Sequence, residues 1–431
     1  MPAIITTKFR VHNAEQFKEA FSETANNKMY LFIGRPQAFA DDNSPPTPVD
    51  TTQSTDYHAW YDMLAAKRIT STDVSHAIRR YDWTSGTTYT QYDNTADLVN
   101  EQFYVYTDDD NIYKVIGNAN SATSTVKPTG TSNLVFETSD GYKWKYMYSV
   151  GAGDAIKFQT TSFIPASVLT SDDGSSQYDV QSTAVDGEIN NIIISSAGSN
   201  YASAPTVTIT GDGEGATATA SISGNTLNAI TITNGGNGYT NATVTLTGGN
   251  TTSSVAAARA LVSPKGGHGS NPIEELHGFF VVMNARLDGS ESSNTFTVAN
   301  DFRKVGVVRD PTTYGTSDVA TATAYRQTYR YTVSGVSGTP AADETITFSG
   351  GATGIVVEYD SGGPYVYVTN QPNEVANTET FTTTGGASGT VDSSDNPGLN
   401  PYSGDVIYLE NRAPINRAAD QLEDIKLIIE F

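Results

Sequence analysis

The chain has 431 residues with 47 acidic and 25 basic side chains, a formal net charge of −22, and no cysteine. That charge repels a phosphate backbone, and the missing thiols exclude disulfide scaffolds, thiolate metal sites and cysteine nucleophiles. Only 17% of residues are charged while Gly and Tyr are frequent, a balance that points to turn-rich β architecture in two to four domains. With no leader-like N-terminus and no apolar run of membrane-spanning length, the expectation is a soluble protein made without Sec-type export and having no membrane or nucleic-acid partner.

Residues 4–10 read as a strand. Asn13 followed by Gln16 forms a capping-box start, and Phe17, Ala20 and Phe21 give an apolar stripe at helical spacing. Residues 29–33 read as a second strand. Between Pro36 and Thr55, Pro45, Pro46 and Pro48 exclude regular structure and predict an extended arm, either one that lies on a partner or a surface connector that contacts nothing. Tyr57, Trp60, Tyr61 and Leu64 then predict a short amphipathic helix ending near Lys67 and Arg68.

Strand-like residues 103–106 and 112–115 precede a run in which Tyr142, Trp144, Tyr146 and Tyr148 alternate with other side chains, Lys143 and Lys145 among them. Alternation places the rings on one face and the lysines on the other. Asp140-Gly141 marks the turn of a hairpin whose first arm is 134–136. The aromatic face suits a sheet core, a protein contact or a stacking platform, and the net charge argues against nucleic acid.

Two later regions are internally repeated. Residues 192–201 return as 230–239, with a period of 38 from Tyr201 to Tyr239, and each copy is followed by a short alternating strand, 206–210 and 243–247. Two copies predict a small two-fold β module. Residues 344–354 match 379–389 at a spacing of 35, predicting a second small barrel or sandwich. Beyond Ser403, residues 406–409 read as a strand, 411–417 as a turn-like connector, and 425–431 as an apolar strand that must be paired, by expectation with residues 4–10.

The chemistry-bearing motifs mostly fail. Gly211 to Gly215 lies between β segments rather than opening a helix, Glu274-Glu275-Leu276-His277 lacks a zincin's second histidine, and no Gly-x-Ser-x-Gly elbow occurs. Asp108-Asp109-Asp110-Asn111 reads as a hairpin turn or a calcium loop, the spacing favouring the turn. No catalytic residue, metal or cofactor is expected.

Phe32-Ile33-Gly34-Arg35-Pro36, the proline arm, Trp60 with Met63 and Lys67-Arg68-Ile69, Asp73-Val74-Ser75, Ile78-Arg79-Arg80 with Trp83, Gly86, Tyr89 and Tyr92-Asp93, and the hairpin ending at Tyr148 resemble the gene product 8 family of baseplate wedge subunits of T-even-type contractile-tailed bacteriophages. The resemblance runs from about residue 4 to 165 and resumes over 403–431. It implies a virion structural protein of the tail baseplate, assembled in the host bacterial cytoplasm, a homodimer that binds other wedge proteins and moves with them on sheath contraction, and not an enzyme.

The expected fold is therefore α+β, β-dominated and multidomain. A discontinuous α/β core (1–100 and 403–431) carries an aromatic-rich region (101–186), an inserted Gly-rich module (187–263), a return segment (264–319) and a second inserted module (320–402). Composition nominates Pro45, Pro46, Pro48, Trp60, Tyr61, Arg79, Arg80 and Trp83 as protein-contact residues. The alternative from another class is a receptor- or carbohydrate-binding tail protein that displays the repeat tyrosines, and a tail-associated glycan hydrolase is a third.

Overall fold

Residues 4–23, 27–34, 37–51, 53–249, 254–288, 301–371, 373–416 and 422–431 are described in the computed structural model, and among them twenty-five strands accompany five α-helices. The expected β-dominated α+β class is what forms. Met1 to Ala3, the Arg35-Pro36 step and Arg417 lie outside the described residues. The chain divides into two compact units, Met1–Gln16 with Ser75–Val282 and Ile428–Phe431, and Phe17–Val74 with Met283–Leu427. Both are discontinuous, but the core expected from 1–100 with 403–431 is shared out between them, and residues 75–100 stay with the aromatic region.

In the first unit a four-stranded antiparallel sheet takes the order Tyr104–Tyr106, Asn111–Asn118, Tyr142–Ser149, Phe136–Glu137. Phe136 faces Trp144 across the predicted hairpin, and Gly141 turns it at φ 85°, a conformation that favours glycine. Tyr142, Trp144 and Tyr146 are buried on one face, with Tyr142 stacked on Trp144 at 5.4 Å between ring centroids. These three rings are thus sheet core, the arrangement that large residues on a half-buried strand favour, but Tyr148 departs from the expected single face: the pairing shifts between Ile112 and Tyr113, so Tyr148 lies opposite Ile112 and packs in the other core cluster. The opposite face is not an open basic one. Lys145 is 6% exposed with Nζ on Asn133 O at 2.5 Å, and Lys143 Nζ donates to Asn191 Oδ1 at 3.3 Å.

The Gly-rich module has the predicted two-fold plan. Thr206–Gly211 and Ala242–Thr247, the equivalent strands of the two copies, pair antiparallel with Thr206 opposite Thr247. The copies also exchange equivalent backbone bonds: Ile189 N to Gly235 O matches Leu227 N to Ala197 O, both at 2.9 Å. Each repeat tyrosine is buried and accepts a backbone N–H of the other copy, Tyr201 from Ala256 at 2.8 Å and Tyr239 from Ala216 at 3.3 Å. Gly198 and Gly236 sit at φ 62° and 65° beside these rings, where a Cβ would come within 2.6 Å of Ala256 N and 2.4 Å of Glu214 O. The two turns are therefore equivalent in geometry as well as in sequence, and each locks the other copy.

The second unit holds a five-stranded sheet of order Ala324–Arg326, Met63–Ile69, Met29–Gly34, Asp301–Arg309, Asp405–Asn416, and a closed six-stranded barrel built from residues 329–395. The barrel contains the second repeat: Thr345–Phe348 pairs with Thr380–Thr383, its equivalent, and Glu344 and Glu379 accept the N–H groups of Ala341 and Ala376. Phe348 and Phe381 meet at 6.4 Å inside it.

Four local expectations are corrected. The helix over Thr7–Ala20 replaces the strand expected at 4–10 and starts well before Asn13; Thr6 Oγ1 accepts from Phe9 N at 3.2 Å, and Val11 and Ala14 extend the buried stripe backwards. The helix begun at Ser54 stops at Tyr61, because Met63–Ile69 pairs with Met29–Gly34 as a central strand buried on both faces, where a continuous apolar run carries no period to tell strand from helix. Residues 411–416 are strand, not connector; Asp405–Asn416 lies at the sheet edge and Pro414 falls where the pairing shifts between Phe302 and Lys304, the positions that tolerate proline. The C-terminal strand Leu422–Glu430 pairs with Phe280–Asp288 instead of residues 4–10.

Candidate functional site

The proline arm is held to its own unit at both ends. Asp42 takes two hydrogen bonds from the largely buried Arg303 guanidinium, at 3.1 and 2.9 Å, and these hold its carboxyl below the usual carboxylate range. Asp301 accepts a third from Arg303 at 2.8 Å. Further along, Asn411 Nδ2 donates to Pro46 O at 2.9 Å and Thr55 Oγ1 to Val49 O at 2.8 Å. With its backbone fixed, the arm presents Pro46 and Val49 outward and leaves Pro45 and Pro48 half-buried.

Trp60 and Tyr61 part company. Trp60, 4% exposed, packs with Tyr30, Phe32, Ala59 and Met63 in the core of the second unit, so it has no surface to offer a partner; that nomination is corrected. Tyr61 faces the other way and begins a ladder of rings. It stacks on Tyr57 at 5.4 Å and 17°, and Tyr57 stacks on Tyr402 at 5.5 Å and 6°. Tyr57 and Tyr402 are 45% and 53% exposed. Burial first, and then the neighbouring tyrosines, push the Tyr61 and Tyr402 hydroxyls above their ordinary value, so these rings are neutral at physiological pH. Nothing in the sequence links positions 345 residues apart, and Tyr402 could not have been found from it.

Arg79, Arg80 and Trp83 lie in the first unit. Arg79 is exposed with its guanidinium 5.3 Å from the Phe280 ring centre, and Arg80 lies 4.8 Å from that of Tyr106 while its Nε donates to Asp82 at 2.8 Å. Trp83 is half-buried against the Trp144 cluster, with Nε1 donating to Ser124 Oγ at 3.1 Å. The nominated residues are thus divided between the two units.

Groups capable of chemistry are occupied in other ways. Asp108 and Asp109 form the hairpin turn, and Lys127 bridges them at 2.6 and 2.9 Å, holding the Asp108 carboxyl below its usual range. Glu275, from the failed zincin motif, is buried against Lys114 at 2.8 Å and also accepts Gly269 N at 2.7 Å. Burial would raise the Glu275 carboxyl, but Lys114 and then His268 outweigh it and hold it at about 2; burial pushes the Lys114 ammonium down. His268 Nδ1 stands 3.7 Å from Glu275, too far for a hydrogen bond, and burial followed by the Lys114 charge lowers that imidazole to about 4. Sequence reading did not find this triad, whose members are 161 and 7 residues from Glu275. It is a buried framework charge cluster with no open face. Among the described residues no helix is long and apolar enough to cross a membrane.

No protein-family model matches the chain, and no curated protein sequence matches it either.

Proposed function

We propose that the chain is a structural subunit of a phage contractile-tail baseplate wedge, one that binds neighbouring wedge proteins during assembly and moves with them on sheath contraction. The observation that carries this reading is how the residues bearing the resemblance are used. The rings of 89–148 pack into a sheet core, while the proline arm and the helix after it carry exposed apolar groups, Val49 at 71% and Tyr57 at 45%, on backbone tied down by Arg303 and Asn411. A tied, apolar surface meets a partner with little conformational entropy left to lose. Interlocked repeats add rigidity, which a subunit transmitting movement needs.

The wedge reading includes a homodimer burying on the order of 1,200 Å² or more. Tyr201 and Tyr239, on which the carbohydrate-binding alternative rested, are buried and give it no platform. Co-expression with the neighbouring wedge proteins tests the proposal: a complex that survives purification and weakens when Pro45, Pro46 and Pro48 are all replaced by glycine supports it. A chain that never enters such a complex opposes it.

A further inference from the structure

A cleft of about 510 Å³ in the second unit lies between the helix Ser54–Tyr61 and the six-stranded barrel. Tyr61 and Asp62 line it from one side, Thr345, Thr353 and Asn370 from the other, and Gln37 comes from the arm. Asp62 is paired with Lys304 at 2.7 Å, so its charge is balanced locally. Tyr61 is also the first ring of the ladder that continues through Tyr57 to the exposed Tyr402.

Amide, hydroxyl and carboxylate groups beside flat apolar rings make the chemistry that recognises a sugar: its hydroxyls exchange hydrogen bonds with the polar groups, and its C–H face lies on an aromatic ring. We propose that this cleft and its tyrosine ladder bind a neutral oligosaccharide. More than one sugar is called for, because the stacked rings cover one another's faces and the outer face of the exposed Tyr402 lies two ring steps from the cleft wall. Neutrality follows from the balanced Asp62–Lys304 pair and from a chain charge of −22, which disfavours acidic glycans. The site is separate from the buried repeat tyrosines and does not depend on the wedge assignment.

The intact chain is applied to an array of neutral and acidic oligosaccharides, and the best ligand is then titrated by calorimetry. Tyr402→Asn removes the outer ring while suiting the left-handed backbone at φ 65°, and should weaken binding about tenfold. Thr353→Trp, at an exposed position on the cleft wall, should abolish it. Thermal melts matching the parent establish that both variants fold. Retention of no neutral glycan, binding of acidic glycans alone, or unchanged affinity in either folded variant would overturn the proposal.

Discussion

Lys114 gives the sharpest energetic test, because it is fully buried with one charged partner. In Lys114→Met the chain keeps the stem's volume and loses the ammonium 2.8 Å from Glu275, as well as the cation 4.3 Å from the Tyr92 ring centre. Glu275 then remains as a buried carboxylate with only Gly269 N at 2.7 Å and Asn271 N at 3.3 Å as donors within reach. Leaving a buried charge uncompensated costs about 3–5 kcal/mol, against a total stability of about 5–15 kcal/mol for a domain. With Lys114 gone, burial dominates and raises the Glu275 carboxyl, so the deficit should shrink as pH falls and the carboxyl takes up a proton. Lys114→Met combined with Glu275→Gln should recover most of the loss. Urea unfolding, followed by tryptophan fluorescence at neutral and mildly acidic pH, measures all three proteins. A single variant within about 1 kcal/mol of the parent, below the range for breaking a buried pair, would refute the reasoning, as would a double variant no better than the single.

Buried His268 and half-buried His277 predict acid sensitivity: both are held near 4, below an ordinary 6.5, chiefly by burial. The unfolded chain binds protons that the fold does not, so their stabilisation is present above pH 6.5 and lost as pH falls towards 4, on the order of 3 kcal/mol for His268 and less for His277, which solvent screens in part. His268→Gln should flatten that slope, and a parent whose stability is level between pH 7 and 5 would count against it. In the Gly-rich module Gly236→Ala should destabilise by roughly 1–3 kcal/mol and Gly224→Ala, at a similar φ but with open space around it, by less; equal melting temperatures would contradict the locked turns. Tyr201→Phe leaves the Ala256 N–H without its acceptor and should cost about 1–3 kcal/mol in chemical denaturation. Arg303→Met should release the arm and speed limited proteolysis between residues 43 and 51, whereas an unchanged cleavage rate would mean that Asp42 is not its anchor.

What the sequence made legible was local or repeated. The Asp140-Gly141 hairpin, the alternating rings, and both duplications could be read because their signals lie within a few residues or recur at fixed spacing, and each repeat pairs with its own copy. Met63 to Ile69 could not, since helix-favouring Leu and Ala become a central strand only through pairing with Met29 to Gly34. The same non-locality hid the Tyr402 ring, the arm's Arg303 anchor and the Lys114–Glu275 pair, and it let Trp60 pass for a surface residue when its helix turns that side inward.

The central claim is a place in a baseplate wedge, and imaging tests it most directly. An antibody against the protein, visualised on intact contractile-tailed particles before and after sheath contraction, should mark the baseplate in both states, with the labelled positions shifting as the sheath contracts. Label confined to the fibre tips or the head, or particles that carry none of the protein, would contradict the account.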